Sequence, residues 1–224
     1  LAFLSYQQRV VAGLRVLDLT RLLPGPVATQ HLADLGADVV KIEDTGEGDY
    51  ARSMGAPSVK SAGETSAFFK LVNRNKRALR LDLKQPEGVA VFRRLTLLAD
   101  VVIEGFRPGV MDKLGIGYAA LAEINPRLVF CSISGYGQDG PYAQAAGYDF
   151  AIQATGGLMS VTGEKDGTPG SEPQKVGVAV ADLFTGLYAT TAVLAALRQA
   201  EHSGRGCHID AALLDVQVAM LANQ

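Results

Sequence analysis

Leu14-Arg15-Val16-Leu17-Asp18-Leu19 and, eighteen residues further on, Ala37-Asp38-Val39-Val40-Lys41-Ile42-Glu43 are the two runs whose reading decides the fold. Each is short, mostly aliphatic and bounded by turn formers, the pattern of a strand buried on both faces. Between them, Thr20 to Pro26 predicts a tight turn and Val27 to Leu35 a helix, closed by Gly36 as a C-cap glycine. A strand, a helix and a strand of these lengths form a β-α-β unit, which makes the strands parallel. Working outward, the polar stretch from Asp44 to Gly63 predicts a long loop of the functional or mobile kind. Leu79 to Leu83 predicts another strand and Pro86 to Ala99 a helix that opens on proline. Val101 to Glu104 and Arg127 to Ile133 predict two more strands, and Ala211 to Gln224 a helix-like run. Strands alternating with helices predict a doubly wound α/β sheet, whose ligands sit beyond the carboxyl ends of the strands.

The chain has 224 residues, which suits one large α/β domain or one and a half. A net charge of −2 argues against nucleic acid or an anionic membrane as the main partner. Cys131 and Cys207 lie far apart in strand-like runs and read as reduced, buried residues of a cytoplasmic protein. No apolar run is expected to approach the roughly 20 residues that span a membrane. Residues 1–11 read as a leader remnant.

For chemistry, the sharpest signal is Val176-Gly177-Val178-Ala179-Val180-Ala181-Asp182-Leu183-Phe184-Thr185-Gly186-Leu187-Tyr188, which sets one acid in an apolar run continuing as a helix to about Leu197. A carboxylate there loses hydration and needs compensation or a task. It can serve as the helix N-cap, as a nucleophile, or as both; at a cap the helix dipole would hold it deprotonated. Gly135-Tyr136-Gly137-Gln138-Asp139-Gly140 matches G-x-G-x-x-G after a strand, but Pro141 follows at once and no helix opens there, so a dinucleotide site is not expected. The basic run Asn73 to Arg77 reads as a solvated face or a phosphate contact. Arg107 directly follows a strand end, where a ligand would lie, and Lys113 can join it on one anion. His31, His202 and His208 are scattered, so no metal pattern arises, and no G-x-S-x-G occurs.

Taken in order, these segments resemble the class III CoA-transferases and their α-methylacyl-CoA racemase relatives, from about Gly13 to the last residues. The resemblance is carried by Val16-Leu17-Asp18-Leu19-Thr20 with Gly25-Pro26, Leu35 to Glu43, Gly48-Asp49 with Arg52, and Asn75-Lys76-Arg77. It continues through Leu81 to Lys84, Phe106-Arg107-Pro108-Gly109, Ser134 to Gly137 and Asp182-Leu183-Phe184-Thr185-Gly186. It implies a Rossmann-like CoA-binding large domain over residues 12–200, with helices on both faces of the sheet. Residues 201–224 would begin the connection to a small domain absent from this chain, in the N-terminal half of an interlocked homodimer fold. It implies transfer of CoA from an acyl-CoA donor to a small carboxylic acid, with Asp182 as the nucleophile that carries anhydride and thioester intermediates. Coenzyme A would be met by Leu22, Leu23, Leu81, Lys84, Gly105, Phe106, Arg107, Lys113 and Leu114. Tyr148 stands where racemases carry a histidine, and a phenol of pKa near 10 is a poor base at neutral pH, which favours the transferase. A non-catalytic CoA-binding module is the remaining reading. Asp44 and Ala146 depart from the family's pattern, and a carboxylate at Asp44 would repel phosphate unless turned away.

Overall fold

The computed structural model describes residues 9–55 and 65–224. Six parallel strands run β1 (Arg15–Leu19), β2 (Asp38–Glu43), β3 (Lys76–Arg80), β4 (Val101–Glu104), β5 (Val129–Ser134) and β6 (His208–Ala212). The helices are α1 (Pro24–Asp34), α2 (Ala67–Val72), α3 (Pro86–Thr96), α4 (Val110–Lys113), α5 (Tyr118–Ile124), α6 (Asp149–Thr155), α7 (Val180–Ser203) and α8 (Leu213–Met220). The sheet order is β3-β2-β1-β4-β5-β6, so strand order reverses between β1 and β4. Val16 pairs with Val39 on one side and Val101 on the other.

Alternate residues of each central strand feed two separate cores, which is why these runs are apolar throughout. Val16, Val39, Ile103, Cys131 and Ile133 face α1 and α7. Leu17, Ile42, Val102 and Phe130 face α3, α4 and α5 through Phe92, Met111 and Leu121. The α/β sheet covered on both faces is therefore as the sequence predicts.

Several boundaries differ, each for a physical reason. Helix α1 starts at Pro24, because prolines suit a first turn whose N–H groups have no intrahelical partner. Strand β3 runs Lys76–Arg80 instead of Leu79 to Leu83: its ladder matches Val39 with Lys76 and Glu43 with Arg80. Past Leu81, whose N–H still donates to the Glu43 carbonyl, Asp82 turns the chain by accepting from the Lys84 N–H. The helix expected to Ala99 ends at Thr96, and the Asn125 amide donates to the carbonyls of Thr96 and Ala99.

The run from Ala211 begins as the end of β6, because Ser134 pairs with Ala212 and keeps the chain extended to there. The apolar helix through Asp182 extends to Ser203. At 24 residues it is long and apolar enough to cross a membrane by length and composition, contrary to expectation. One side of it is buried through Ala181, Ala189, Val193 and Ala196 against the sheet and α1. After β2 the described residues hold a 3₁₀ turn, Tyr50–Arg52; residues 56–64 and 1–8, where the rest of a loop and a leader remnant were expected, lie outside the described residues.

Candidate functional site

Beyond the carboxyl ends of β1, β4 and β5, at the point where strand order reverses, lies a cleft of about 210 Å³. Thr20, Arg21 and Leu22 wall it from the turn after β1, and Gly105, Phe106 and Arg107 from the turn after β4. Gly147 and Tyr148 precede α6, and Asp182 enters from the first turn of α7. This is where an open α/β sheet binds ligands. A larger cavity of about 640 Å³ lies at the amino ends of the strands, between Val10 to Arg15 and Leu97 to Asp100, and holds none of the sequence candidates.

The first wall has an unusual backbone. Leu22 adopts φ 65°, a conformation costing about 1–2 kcal/mol for a residue with a side chain. A buried ion pair holds it there. Lys41 and Asp49 meet at 3.0 Å with side chains 2% and 0% exposed. The Lys41 Nζ donates to the Thr20 carbonyl at 2.7 Å, while Asp49 Oδ1 accepts from the Leu22 N–H at 3.1 Å. The turn is thus gripped at both ends. Hydrogen bonds to charged groups contribute roughly 1.5–3 kcal/mol each, enough to offset the strain.

Behind this pair, Asp18 takes hydrogen bonds from Thr20 and Thr29 and an ion pair from Lys76 at 3.0 Å. Burial works to raise its pKa, but Lys76, Lys41 and the two hydroxyls outweigh it and hold the carboxyl down at about 2. In the basic run Asn73 to Arg77, Lys76 is buried on Asp18, while Arg74 and Arg77 stay largely exposed and pair with Asp34 and Asp38, which fits the solvated-face reading.

Asp182 is the fourth residue counted from Ala179, the N-cap of α7, and its side chain does not cap the helix. The cap comes from α6: Asp149 Oδ1 accepts from the N–H groups of Ala181 at 2.8 Å and Asp182 at 3.3 Å. Among the described residues the Asp182 carboxylate makes no hydrogen bond or ion pair. Burial and then the negative charge of Asp149 raise its pKa to about 7. The expectation of a carboxylate held deprotonated by the helix dipole is corrected on this point. That dipole is worth about 0.3–1 kcal/mol, less than the loss of hydration.

The glycines before α6 have a steric task. A Cβ on Gly135 would lie 2.5 Å from the Gly147 Cα, so two backbones touch where they line the cleft.

The structure therefore brings Leu22, Gly105, Phe106, Arg107, Tyr148 and Asp182 together, and Ala146 lines the same cleft. Lys84, Lys113 and Leu114 line a separate shallow groove of about 410 Å³ beside α3 and α4. Leu23 precedes α1 and accepts from the Val27 N–H, and Leu81 extends β3, packing on the α3 side of the sheet. Asp44 is turned to Arg21 at 2.6 Å and to the amides of Gly46 and Gly48, which lower its pKa. Its charge is therefore neutralised at the rim. Glu43, at the end of β2, is engaged by Arg52 and the Asp49 N–H.

Sequence reasoning gave no individual role to Arg21, Lys41, Asp49 or Asp149, although Lys41 and Asp49 lie in segments that carry the resemblance. A lysine inside the aliphatic β2 was the one available signal for the buried pair. On the other face of the sheet, Glu104 lies in a recess of about 220 Å³ with Ser132 and His208, and burial pushes its pKa up to about 7. Its Oε2 accepts from the Phe106 N–H at 2.7 Å. Among the described residues no three His, Cys, Asp or Glu side chains converge as a metal site requires.

The fold and cleft can be set beside known proteins. The description of CoA-transferase family III matches residues 11–224. Over 217 residues the chain is 53% identical to succinate–glutarate CoA-transferase of Agrobacterium fabrum, covering 96% of this chain and 53% of that one. It is 45% identical to human succinyl-CoA:glutarate CoA-transferase, covering 94% and 47%. A CAIB/BAIF family protein from Brucella suis superposes with a TM-score of 0.88 at 50% identity, over 95% of this chain and 55% of that one. The chain spans about half the length of the curated relatives it matches. With sequence, fold and family description in agreement over almost its whole length, the chain belongs to CoA-transferase family III.

Proposed function

We propose that this chain carries the CoA-binding and nucleophilic part of an enzyme that moves CoA from an acyl-CoA donor to a small carboxylic acid. The observation that carries the reading is the Asp182 carboxylate, unbonded among the described residues and entering the cleft between the β1 and β4 turns. In this reading an Asp182 oxygen attacks the thioester carbonyl carbon. The C–S bond breaks, leaving an aspartyl anhydride and CoA thiolate. The thiolate attacks Asp182 Cγ, releases the donor acid and forms an aspartyl-CoA thioester. An acceptor carboxylate attacks the same carbon, expels CoA thiolate and forms a second anhydride. The thiolate then takes the acyl group and restores the aspartate. No proton is gained or lost overall, and the activation of the thioester is kept throughout. A pKa of about 7 leaves a large ionised fraction at neutral pH, and a poorly hydrated carboxylate is the more reactive one.

Phe106 and the leucines at 22, 23, 81 and 114 would pack the apolar parts of CoA, Gly105 would let it approach the backbone, and Arg107, Lys84 and Lys113 would meet its phosphates. Tyr148 would lie beside the acyl group. Relatives are named for succinate, glutarate and oxalate, and we assign the same class, short dicarboxylic acids. A carboxylate that does not react stays charged and needs a cation, and Arg21 at the cleft wall would meet it by exchanging its ion pair with Asp44. A cytoplasmic homodimer is part of the proposal; the free thiols Cys131 and Cys207 suit that compartment.

The test is to expose the intact protein to succinyl-CoA, quench with hydroxylamine and map the modified residue by mass spectrometry, while following labelled glutarate into the CoA pool. Modification at Asp182 together with label transfer is expected. Unmodified Asp182 during turnover, or deuterium exchange at the acyl α-carbon without label transfer, would overturn the reading, the latter in favour of a racemase.

A further inference from the structure

We infer that Asp149 is a positioning residue for the Asp182 carboxylate, acting through the helix start they share and through its own negative charge. The inference rests on the reading of Asp182 as nucleophile and adds to it a residue on another helix.

Three observations converge. First, the first turn of α7 lacks a local side-chain cap; the acceptor for its N–H groups is Asp149, thirty-two and thirty-three residues away in the chain. A helix start capped from its own sequence can turn with the chain that leads into it. One capped from a neighbouring helix is fixed relative to that neighbour. Second, Asp149 is itself held. Its Oδ2 accepts from the Gln153 Nε2 at 2.6 Å, and Gln153 is fully buried. The Gln153 Oε1 accepts from the Val176 N–H at 2.9 Å, and its Nε2 lies 3.3 Å from the Val178 carbonyl. One buried amide thus ties the segment leading into α7, residues 176–178, to the carboxylate that caps it. Third, the Asp182 carboxylate has no bonding partner of its own among the described residues. Its direction is set by its backbone, and that backbone is pinned at its N–H by Asp149.

The same placement brings a second negative charge close to the first. The other ionisable groups lining the cleft with Asp182 are Arg21 after β1, Arg107 after β4 and Tyr148 before α6, while α1 and α8 present Pro24, Gly25 and Leu213. Among the described residues, Asp149 is the carboxylate whose charge acts on Asp182 to raise its proton affinity. The arrangement trades ionised fraction for reactivity: a more basic carboxylate is a stronger nucleophile towards the thioester carbon.

The test uses the intact protein, Asp149→Asn and Gln153→Met. Two readouts are followed: the ¹³C shift of the Asp182 carboxyl carbon against pH, and the pH dependence of the hydroxylamine-trapped adduct. Asn at 149 keeps an acceptor oxygen for the two N–H groups but removes the charge. The Asp182 titration and the acidic limb of adduct formation should both move down by about one pH unit, the size expected for losing a nearby like charge. Gln153→Met leaves the charge but loosens its hold, so the maximal rate should fall about tenfold or more while the midpoint stays within about 0.3 pH units. An unmoved midpoint in Asp149→Asn, or an unchanged maximal rate in Gln153→Met, overturns the inference. Failure of Asp182 to form an adduct in the unmodified protein is a different result. It removes the nucleophile reading, while the ¹³C titration still decides whether Asp149 controls Asp182.

Discussion

Replacing Asp182 by Asn should stabilise the protein, and by an amount that grows with pH. In the folded chain burial and Asp149 lift this carboxyl from its ordinary 3.8 to about 7. Below about pH 4 both folded and unfolded chains hold the proton, and the group contributes nothing to the balance. Between about 4 and 7 the unfolded chain releases it while the folded chain keeps it. The folded state then binds more protons, and stability falls as pH rises. Above about 7 the penalty is constant. At about 1.4 kcal/mol per pH unit the interval is worth roughly 4 kcal/mol. Solvent reaching the partly exposed group cuts this to about 2 kcal/mol. The positive end of α7 removes a further 0.3–1 kcal/mol or so.

Asparagine resembles the neutral acid and does not titrate. The advantage of Asp182→Asn over the parent should therefore rise by about 1–2 kcal/mol between pH 4.5 and pH 8, as solvent screening and the helix dipole leave it. Urea unfolding followed by circular dichroism at pH 4.5, 6, 7 and 8 measures it. The readout is the difference between the two proteins, because Glu104, also raised to about 7, titrates in the same window and cancels. A difference that stays flat with pH, or a variant less stable than the parent at pH 8, would refute the claim that the cleft holds a carboxylate against its preference for water.

Two further outcomes follow from the walls of the cleft. Asp49→Asn removes the carboxylate paired with the buried Lys41 ammonium, leaving it the more distant charge of Asp18, so unfolding free energy should fall by up to about 3–5 kcal/mol; a loss below about 1 kcal/mol in urea titration would show that the pair does not hold the Leu22 turn. Gly135→Ala places a Cβ 2.5 Å from the Gly147 Cα, where no flexible side chain can yield. It should cost about 1–3 kcal/mol and lower the melting temperature, and an unchanged melting temperature would mean the two backbones can part.

Much of this protein can be read directly from its residues. The aliphatic strands Leu14 to Leu19, Val101 to Glu104 and Arg127 to Ile133, with one helix after the first, require a parallel sheet covered on both faces, since only burial on both sides explains such runs. Asp182 stands out for the same reason: one acid in an apolar segment is visible without coordinates. Edge strands are less legible. β3 is mostly exposed, so its apolar alternation carries little information, and pairing with β2 sets its register instead.

Relations between distant residues were decided only by the tertiary structure. Asp182 looks like a cap in the sequence, yet the cap is Asp149, and the charge that raises its proton affinity comes from the same residue. Lys41 and Asp49 are eight positions apart on a strand and a loop, and only the folded chain shows them closing on Thr20 and Leu22. A hydrophobic period reports which side of an element faces inward, because burial acts on each residue separately. Hydrogen bonds and ion pairs act between particular atoms within about 3 Å, and where two remote segments meet at that range is settled when the sheet assembles.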